Sequence, residues 1–406
     1  MEQRRDGWAL TTNGTNGLTH LHGRIALRFA RREMRERARR YLEGLLGRVE
    51  RKNGWQLAEL LGERGPQGVQ RLLNAADWDA DAVRDDLRAY VVEHLGDAQS
   101  GVLVLDETGF LKKGVKSAGV ARQYSGTAGR RENQQIGVFL LYASDRGTAF
   151  IDRALYLPEM WATDTERRAE AHIPPDVTFA TKGELAKALL ARAFAAGIPA
   201  RWVVGDTVYG SDEVRNWLEG QRQAYVLAVS STHALWTRGR QRTVADLGAL
   251  VPTTAWRRLS AGEGSQGPRL YDWACVRLPY VAVAPGMAQW LLIRRGLPDP
   301  QHREEPLEYA YYRAYGPTET TVEDLVRVAG RRWTIEVGFE QAKGEVGLDQ
   351  YEVRRYDAWY RHITLALLAH AYLEVTRATT VAHRESAGST RPGALPGGQP
   401  ERGEAQ

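Results

Sequence analysis

The chain has 406 residues, 43% hydrophobic and 26% charged, with a formal net charge of +5 at pH 7. This length allows two or three domains, the composition is that of an ordinary globular protein, and the positive charge is compatible with a polyanionic partner. The single cysteine, Cys275, excludes an intrachain disulfide and a cysteine-based zinc site. The N-terminus does not resemble a signal peptide, and no apolar run reaches the roughly 18–20 residues that cross a bilayer. These features predict a cytoplasmic protein without membrane spans.

The first hundred residues predict helices. Residues 1–20 are polar and rich in glycine and asparagine, which predicts a mobile lead-in. Residues 24–52 predict an arginine-dense helix, whose arginines either pair with neighbouring glutamates or contact phosphates. Residues 53–78 carry two apolar faces around a glycine-containing turn, the outline of a helix-turn-helix, and residues 77–95 predict a further amphipathic helix. We therefore expect an all-helical domain over residues 1–98.

From residue 99 the pattern changes to alternating strands and helices. Val102–Leu105 is a short apolar run flanked by glycine, which predicts a buried strand with Asp106 at its tip. The next predicted elements are a hairpin of strands 136–142 and 148–157, a helix 182–196, a strand 201–205, a helix 211–219 and a strand 224–229. This order predicts an α/β fold with a mixed sheet, in which Asp206 ends the fourth strand.

The last third of the chain predicts a β-rich insertion followed by helices. The insertion, residues 231–318, contains tryptophans that suit a small core, although one or two could stack on unpaired bases. Residues 321–346 predict one long helix, residues 360–377 predict a helix that packs on the sheet, and the Gly/Pro/Ser/Glu-rich tail predicts disorder. The predicted units are residues 1–98, 99–230, 231–318, 319–380 and 381–406.

Three acidic residues are candidates for chemistry. Asp106 and Asp206 end predicted strands, and Glu336 lies on a helix that can cross the sheet. Three carboxylates without a histidine or cysteine partner suit Mg²⁺ or Mn²⁺, and two such ions about 3.5–4 Å apart would support phosphoryl transfer. The structural alternatives are that Asp106 caps a turn and that Glu336 pairs with Arg332 one helical turn away.

Basic residues near these acids suit phosphate groups. They are Lys112, Lys113, Lys116, Arg122, Arg130, Arg131, Arg332 and Lys343.

Four segments carry a family resemblance: LDETGFLKKG, GVARQYSGTAGRRENQQIGV, VVGDTVYG and RRWTIEVGFEQAKGEVGLDQYEVR. Together they resemble the DDE transposases of bacterial insertion sequences, over about residues 20–377. The most specific part is the helix motif of that family, Tyr, two residues, Arg, three residues, Glu, six residues, Lys. Arg332, Glu336 and Lys343 match this spacing, whereas Ala329 occupies the tyrosine position.

The resemblance implies an RNase H-like catalytic domain with a β-rich insertion, preceded by a helical DNA-binding domain. It implies metal-dependent cleavage at element ends and strand transfer into target DNA, with Asp106, Asp206 and Glu336 holding the metal ions. The implied partners are double-stranded DNA with terminal inverted repeats and a second copy of the chain, at the nucleoid of a bacterial cytoplasm. The implied DNA contacts are Lys112, Lys113, Arg122, Tyr124, Arg130, Arg332 and Lys343, of which Arg122 and Tyr124 lie in a loop, Gly119–Gly126, that borders the active site.

Three other functions remain open. The chain could be a DNA-binding regulator or an inactive relic, in which the acidic residues do nothing. A phosphatase with an aspartyl nucleophile would need a second aspartate two residues after Asp106, where Thr108 stands. A structure-specific nuclease of the same fold would use the same metals.

Overall fold

The structure, a computed structural model, describes residues 12–125, 129–237, 239–264, 267–279, 283–298 and 306–388. Its helices are α1 (Thr12–Ile25), α2 (Arg32–Leu46), α3 (Gly54–Leu60), α4 (Gln67–Asn74), α5 (Ala80–Leu95), α6 (Met160–Thr163), α7 (Thr165–Glu170), α8 (Lys182–Ala195), α9 (Asp212–Gly220), α10 (Val244–Ala249), α11 (Val322–Gly330), α12 (Trp333–Val346) and α13 (Tyr356–Gly388), with 3₁₀ turns at Ala26–Arg28 and Thr253–Ala255. Its strands are β1 (Val102–Leu111), β2 (Ala121–Ser125), β3 (Arg130–Ser144), β4 (Gly147–Tyr156), β5 (Trp202–Gly205), β6 (Ala224–Val229), β7 (Ala234–Thr237), β8 (Arg240–Thr243), β9 (Arg257–Gly264), β10 (Gly267–Arg277), β11 (Met287–Arg295) and β12 (Tyr309–Pro317).

Within these residues, ten strands form one mixed sheet in the order β2-β3-β1-β5-β6-β12-β11-β10-β9, with β4 also paired to β3. β1, β5 and β6 are parallel, and β3 runs antiparallel to β1 and β4. This mixed sheet with flanking helices fits an RNase H-like fold, and the predicted hairpin of the second and third strands is present as β3 and β4.

β1 is longer than the sequence predicted. Val102–Leu105 is buried as expected, but β3 continues to supply partners as far as Leu111. Asp106 therefore lies within β1. The prediction that Asp106 ends this strand is wrong on the side that pairs with β3. The parallel partner does end there, since the β1–β5 register stops at Leu105↔Gly205. Asp106 thus has a strand on one side only.

The β-rich insertion does not form a separate body. Its strand β12 pairs with β6, from Tyr311↔Val229 to Tyr315↔Tyr225, and β11, β10 and β9 follow in turn. Only the β7–β8 hairpin lies apart from the main sheet among the described strands. Trp273 and Trp290 are buried, as the core interpretation predicts, whereas Trp236 on the hairpin is 70% exposed.

The described elements before residue 96 are helices, apart from an isolated bridge between Phe29 and Trp78. They do not form an independent domain, because their buried side chains belong to the same hydrophobic core as the sheet. The Tyr41 hydroxyl, for example, lies 2.8 Å from Nδ1 of His362 on α13. The prediction of a mobile lead-in over residues 1–20 is also wrong from Thr12 onward, since α1 begins there and buries Leu18. Residues 1–11 lie outside the described residues.

The arginine-dense segment is a 3₁₀ turn followed by α2, and several of its guanidinium groups are already paired. Arg37 and Arg40 both contact Glu63, and Arg39 contacts Glu43 within the helix. For these three arginines the structure supports the ion-pair alternative.

The predicted long helix over residues 321–346 is two helices, because the chain bends after Gly330. A Cβ at Gly330 would lie 1.9 Å from the carbonyl oxygen of Ala261 on β9, so only glycine permits this contact. The final helix starts earlier and ends later than predicted, and it continues past residue 381 to Gly388. Residues 389–406 of the expected tail lie outside the described residues.

A buried carboxylate ties the helices to the sheet. Asp152 on β4 is fully buried and accepts hydrogen bonds from Arg88 on α5 at 3.0 Å and Arg192 on α8 at 2.9 Å. Arg84 lies 3.4 Å away. Among the described helices, none is long and apolar enough to cross a membrane.

Candidate active site

The two aspartates meet at one edge of the sheet. β1 and β5 are parallel and in register up to Leu105↔Gly205, so Asp106 and Asp206 are the next residue on each strand. Parallel strands present their carboxyl ends at the same edge. The prediction that Asp206 follows the fourth strand is confirmed.

Both aspartates are in an environment that disfavours charge. Burial and the nearby Asp206 carboxylate raise the pKa of Asp106 to about 7. Burial, followed by the charge of Glu107, also raises the pKa of Asp206. Each carboxylate accepts one local backbone bond, from the N–H of Glu107 at 2.8 Å and of Val208 at 2.9 Å. The Asp206 carboxylate is therefore near enough to oppose the ionisation of Asp106, and a bound cation would favour the ionised form of both.

Arg332 supplies positive charge at this position. Its Nη1 lies 3.4 Å from Oδ2 of Asp106, and its Nη2 donates to Oε1 of Glu336. The charge of Arg332 also lowers the pKa of Asp206, against the larger effect of burial. One guanidinium therefore interacts with all three predicted acids.

Helix α12 is held on the Asp106 face of the sheet by close packing. Phe339 packs against Phe139 and Phe150, with ring centroids 5.3 and 4.9 Å apart. Gly338 faces Leu141 and Phe150 at distances that leave little space for a larger residue. The helix is therefore fixed on the face of the sheet that carries Asp106.

Lys343 reaches β1 beside the aspartates. Its Nζ donates to Oγ1 of Thr108 at 2.7 Å, and Thr108 shares a strand face with Asp106. Burial lowers the pKa of this lysine. Arg332 at the N-cap of α12 and Lys343 thus reach Asp106 and Thr108 in the middle of β1, and Arg332 links Glu336 to Asp106.

The residues that the structure describes contain no group of three or more histidine, cysteine, aspartate or glutamate side chains spaced to hold a metal ion. The three acids are nevertheless a suitable donor set, because hard carboxylate oxygens are the ligands that Mg²⁺ and Mn²⁺ prefer. A bound cation would offset the repulsion between Asp206 and Asp106, where Arg332 already contributes positive charge.

The other predicted DNA contacts fall into two groups. Lys113 and Arg122 are exposed, and Tyr124 is 68% exposed. Lys112 is turned inward: its Nζ lies 3.4 Å above the Tyr351 ring and donates to the Tyr351 carbonyl at 3.2 Å. Burial lowers the pKa of Lys112 to about 7. Because its ammonium group is engaged by Tyr351, Lys112 does not present a free charge to a DNA phosphate as predicted.

The predicted loop around Arg122 and Tyr124 is strand β2 over Ala121–Ser125. Directly opposite residues in an antiparallel pair share a face, and Tyr124 stands opposite Arg131. Arg122, Tyr124 and Arg131 therefore share one exposed face of the β2–β3 hairpin. Arg130 lies on the other face and pairs with Glu132 at 2.5 Å.

Sequence reasoning missed a polar group on the opposite face of β1. Glu107 accepts a hydrogen bond from Tyr209 at 2.5 Å and from Lys182 at 2.6 Å. Glu107 adjoins Asp106 in sequence, and Tyr209 lies three residues after Asp206. Their positions in LDETG and GDTVYG were the available signal.

Comparisons with known proteins agree with this geometry. Residues 24–248 match the family model described as DDE superfamily endonuclease, and residues 180–372 match the transposase DDE domain. Because the first match covers more than half of the chain, the protein belongs to the DDE superfamily endonucleases. It is also 23% identical over 317 residues to the probable transposase for insertion sequence element IS701 of Microchaete diplosiphon, covering 77% of this chain and 75% of that protein. The predicted DDE-type insertion-sequence transposase is thus confirmed, as is the assignment to polynucleotidyl transferases and endonucleases.

Proposed function

We propose that this transposase cuts DNA at the ends of its element and joins them to target DNA, using Asp106, Asp206 and Glu336 with Mg²⁺ or Mn²⁺. The observation that carries the proposal is the contact of Arg332 with both Asp106 and Glu336, beside Asp206. Three carboxylates from distant parts of the chain surround one positive charge, which supports a common cation-binding role.

The three acids would hold two ions, which when bound would activate a water or a 3′-hydroxyl and stabilise the leaving oxygen. Asp106 is held within β1, Asp206 directly follows β5, and the packing of α12 on the sheet holds Glu336. Rigid support of this kind keeps ligands in place without a cost at the moment of reaction. Arg332 balances the charge of Asp106 and Glu336, and bound metal ions would take over that role and leave Arg332 available for a DNA phosphate.

The substrate is double-stranded DNA carrying the terminal inverted repeats, bound by two copies of the chain so that both ends are held together. Arg332 and Lys343 would contact DNA near the cut, since both reach the aspartate edge of the sheet. The exposed face of the β2–β3 hairpin, with Arg122 and Tyr124, would contact the flanking duplex, together with Lys113. The helices before residue 96 would add affinity for the element ends.

Cleavage of a duplex carrying the DNA that flanks the gene tests the proposal. We expect Mg²⁺-dependent cutting at defined ends by the wild type, and loss of cutting with retained DNA binding for Asp206→Asn and Glu336→Gln. The matched control is Glu213→Gln, which removes the charge of an exposed carboxylate paired with Lys187. Binding without cutting by the wild type, in both Mg²⁺ and Mn²⁺, would refute the proposal in favour of a regulator or relic.

A further inference from the structure

Glu107 and its two partners connect separate parts of the chain behind the candidate active site. Strand alternation places Glu107 on the opposite face of β1 from Asp106. Its Oε2 accepts from the Tyr209 hydroxyl at 2.5 Å, and its Oε1 accepts from Nζ of Lys182, the first residue of α8, at 2.6 Å. Both carboxylate oxygens of Glu107 therefore have a partner within the chain.

Tyr209 belongs to the loop that carries Asp206. Its side chain is fully buried, and its N–H donates to the carbonyl of Asp206 at 3.2 Å. The next residue, Gly210, runs so close to β6 that a Cβ there would lie 1.8 Å from the carbonyl oxygen of Ala228. The loop is thus attached to β6 by its backbone and to β1 by the bond between Tyr209 and Glu107.

This attachment bears directly on the separation of the two aspartates. Asp106 is fixed by β1, and Asp206 begins a loop that has no strand partner beyond Gly205. The bond from Tyr209 to Glu107 returns the loop to the residue adjacent to Asp106. Without it, the position of the Asp206 carboxylate would depend on the turn at Val208, the contact of Gly210 and the charge of Arg332.

We propose that Glu107 is a positioning residue of the metal site: Lys182 orients Glu107, and Glu107 holds Asp206 in place through Tyr209. This inference rests on the proposed function. Glu107 acts through its neighbours and is not itself a ligand, because its oxygens are already engaged by a hydroxyl and an ammonium group. Groups that orient metal ligands through hydrogen bonds typically change metal affinity by about 10–100-fold when removed.

The test uses the full chain with two variants, Glu107→Gln and Tyr209→Phe. The matched control is Tyr225→Phe, which removes another fully buried tyrosine hydroxyl that donates to a glutamate, Glu219, at 2.6 Å. Mn²⁺ binding is measured by isothermal titration calorimetry without DNA, and the Mg²⁺ concentration for half-maximal cleavage is measured separately. Melting temperature and metal-free DNA binding are recorded for each variant.

We expect Glu107→Gln and Tyr209→Phe each to weaken Mn²⁺ binding by about tenfold or more and to raise the Mg²⁺ requirement in parallel. Tyr225→Phe should lower the melting temperature to a similar extent and leave both metal measurements unchanged. Wild-type Mn²⁺ affinity in both Glu107→Gln and Tyr209→Phe would overturn the inference. Complete loss of binding in Glu107→Gln with normal binding in Tyr209→Phe would also overturn it, because Glu107 would then be a ligand. If the wild type neither binds Mn²⁺ nor cleaves, the proposed function itself fails.

Discussion

The buried carboxylate of Asp152 provides a quantitative test of how the helices are held to the sheet. Its side chain is 1% exposed, and those of Arg84 and Arg88 are 6% exposed. Asp152→Ala would leave these arginines and Arg192 without their shared partner. Removing one member of a buried ion pair typically costs about 3–5 kcal/mol. Because Arg84 and Arg88 also contact Asp85, we expect the lower end, about 3 kcal/mol, which is a large part of the roughly 5–15 kcal/mol that stabilises a folded domain.

Urea denaturation monitored by tryptophan fluorescence would measure this loss in the free energy of unfolding. The control is Glu213→Ala, which breaks an exposed ion pair and should cost less than about 1 kcal/mol. A cost below about 1 kcal/mol for Asp152→Ala would show that the arginines are well solvated or find other partners, and the reasoning would be wrong.

The same carboxylate predicts a pH dependence. Burial opposes its ionisation, but Arg192, Arg153 and Arg84 outweigh burial and lower the pKa of Asp152. The pKa in the folded chain is therefore below the unfolded value of about 3.9. The stabilisation by Asp152 is present above that value and is lost as pH falls through the folded pKa. The difference in unfolding free energy between wild type and Asp152→Asn should shrink below pH 4, and a constant difference would contradict the assignment.

Three further predictions concern single residues. Gly330→Ala should lower the free energy of unfolding by more than about 2 kcal/mol, because its Cβ would meet the backbone oxygen of Ala261. Gly344→Ala, which has open space on α12, should instead raise it by about 0.5–1 kcal/mol in the same urea assay. Burial lowers the folded pKa of Lys112 to about 7, so the penalty for burying its charge is present at pH 7 and declines toward pH 10. The difference in unfolding free energy between Lys112→Met and the wild type should therefore shift in favour of the wild type as pH rises from 7 to 10, and a difference that stayed constant would refute this. Trp236→Ala should leave the melting temperature unchanged and weaken binding to single-stranded DNA by about 1–3 kcal/mol if the exposed ring stacks on bases, as measured by fluorescence anisotropy; unchanged affinity would exclude that contact.

The sequence predicted the central strands well because their signals are local. A short apolar run such as Trp202–Gly205, rich in valine and bounded by glycine, favours a buried strand. The spacing of Glu336 and Lys343 on one helix face also depends only on residues within two turns. These local patterns were sufficient to predict the strand that precedes Asp206 and a helix that carries Glu336 and Lys343.

The sequence could not show how β1 ends or what lies behind it. The extension of β1 to Leu111 depends on the pairing of Phe110 and Leu111 with Gln135 and Gln134 of β3, more than 20 residues further along the chain. The inward position of Lys112 depends on Tyr351, which arrives from the far end of the sequence. Contacts of this kind are set by tertiary packing and have no signature in a single local pattern.

The insertion shows most clearly why the site cannot be divided at the predicted boundaries. Arg269 on β10 donates to the carbonyl of Ala261 at 2.6 Å and to that of Gly330 at 3.0 Å. It thereby joins the insertion strands to the end of α11, two residues before Arg332. Because the bend at Gly330 sets the direction in which α12 begins, the insertion helps to determine where Glu336 lies relative to Asp106. The insertion is therefore a structural part of the candidate active site, although its strands contribute none of the three carboxylates.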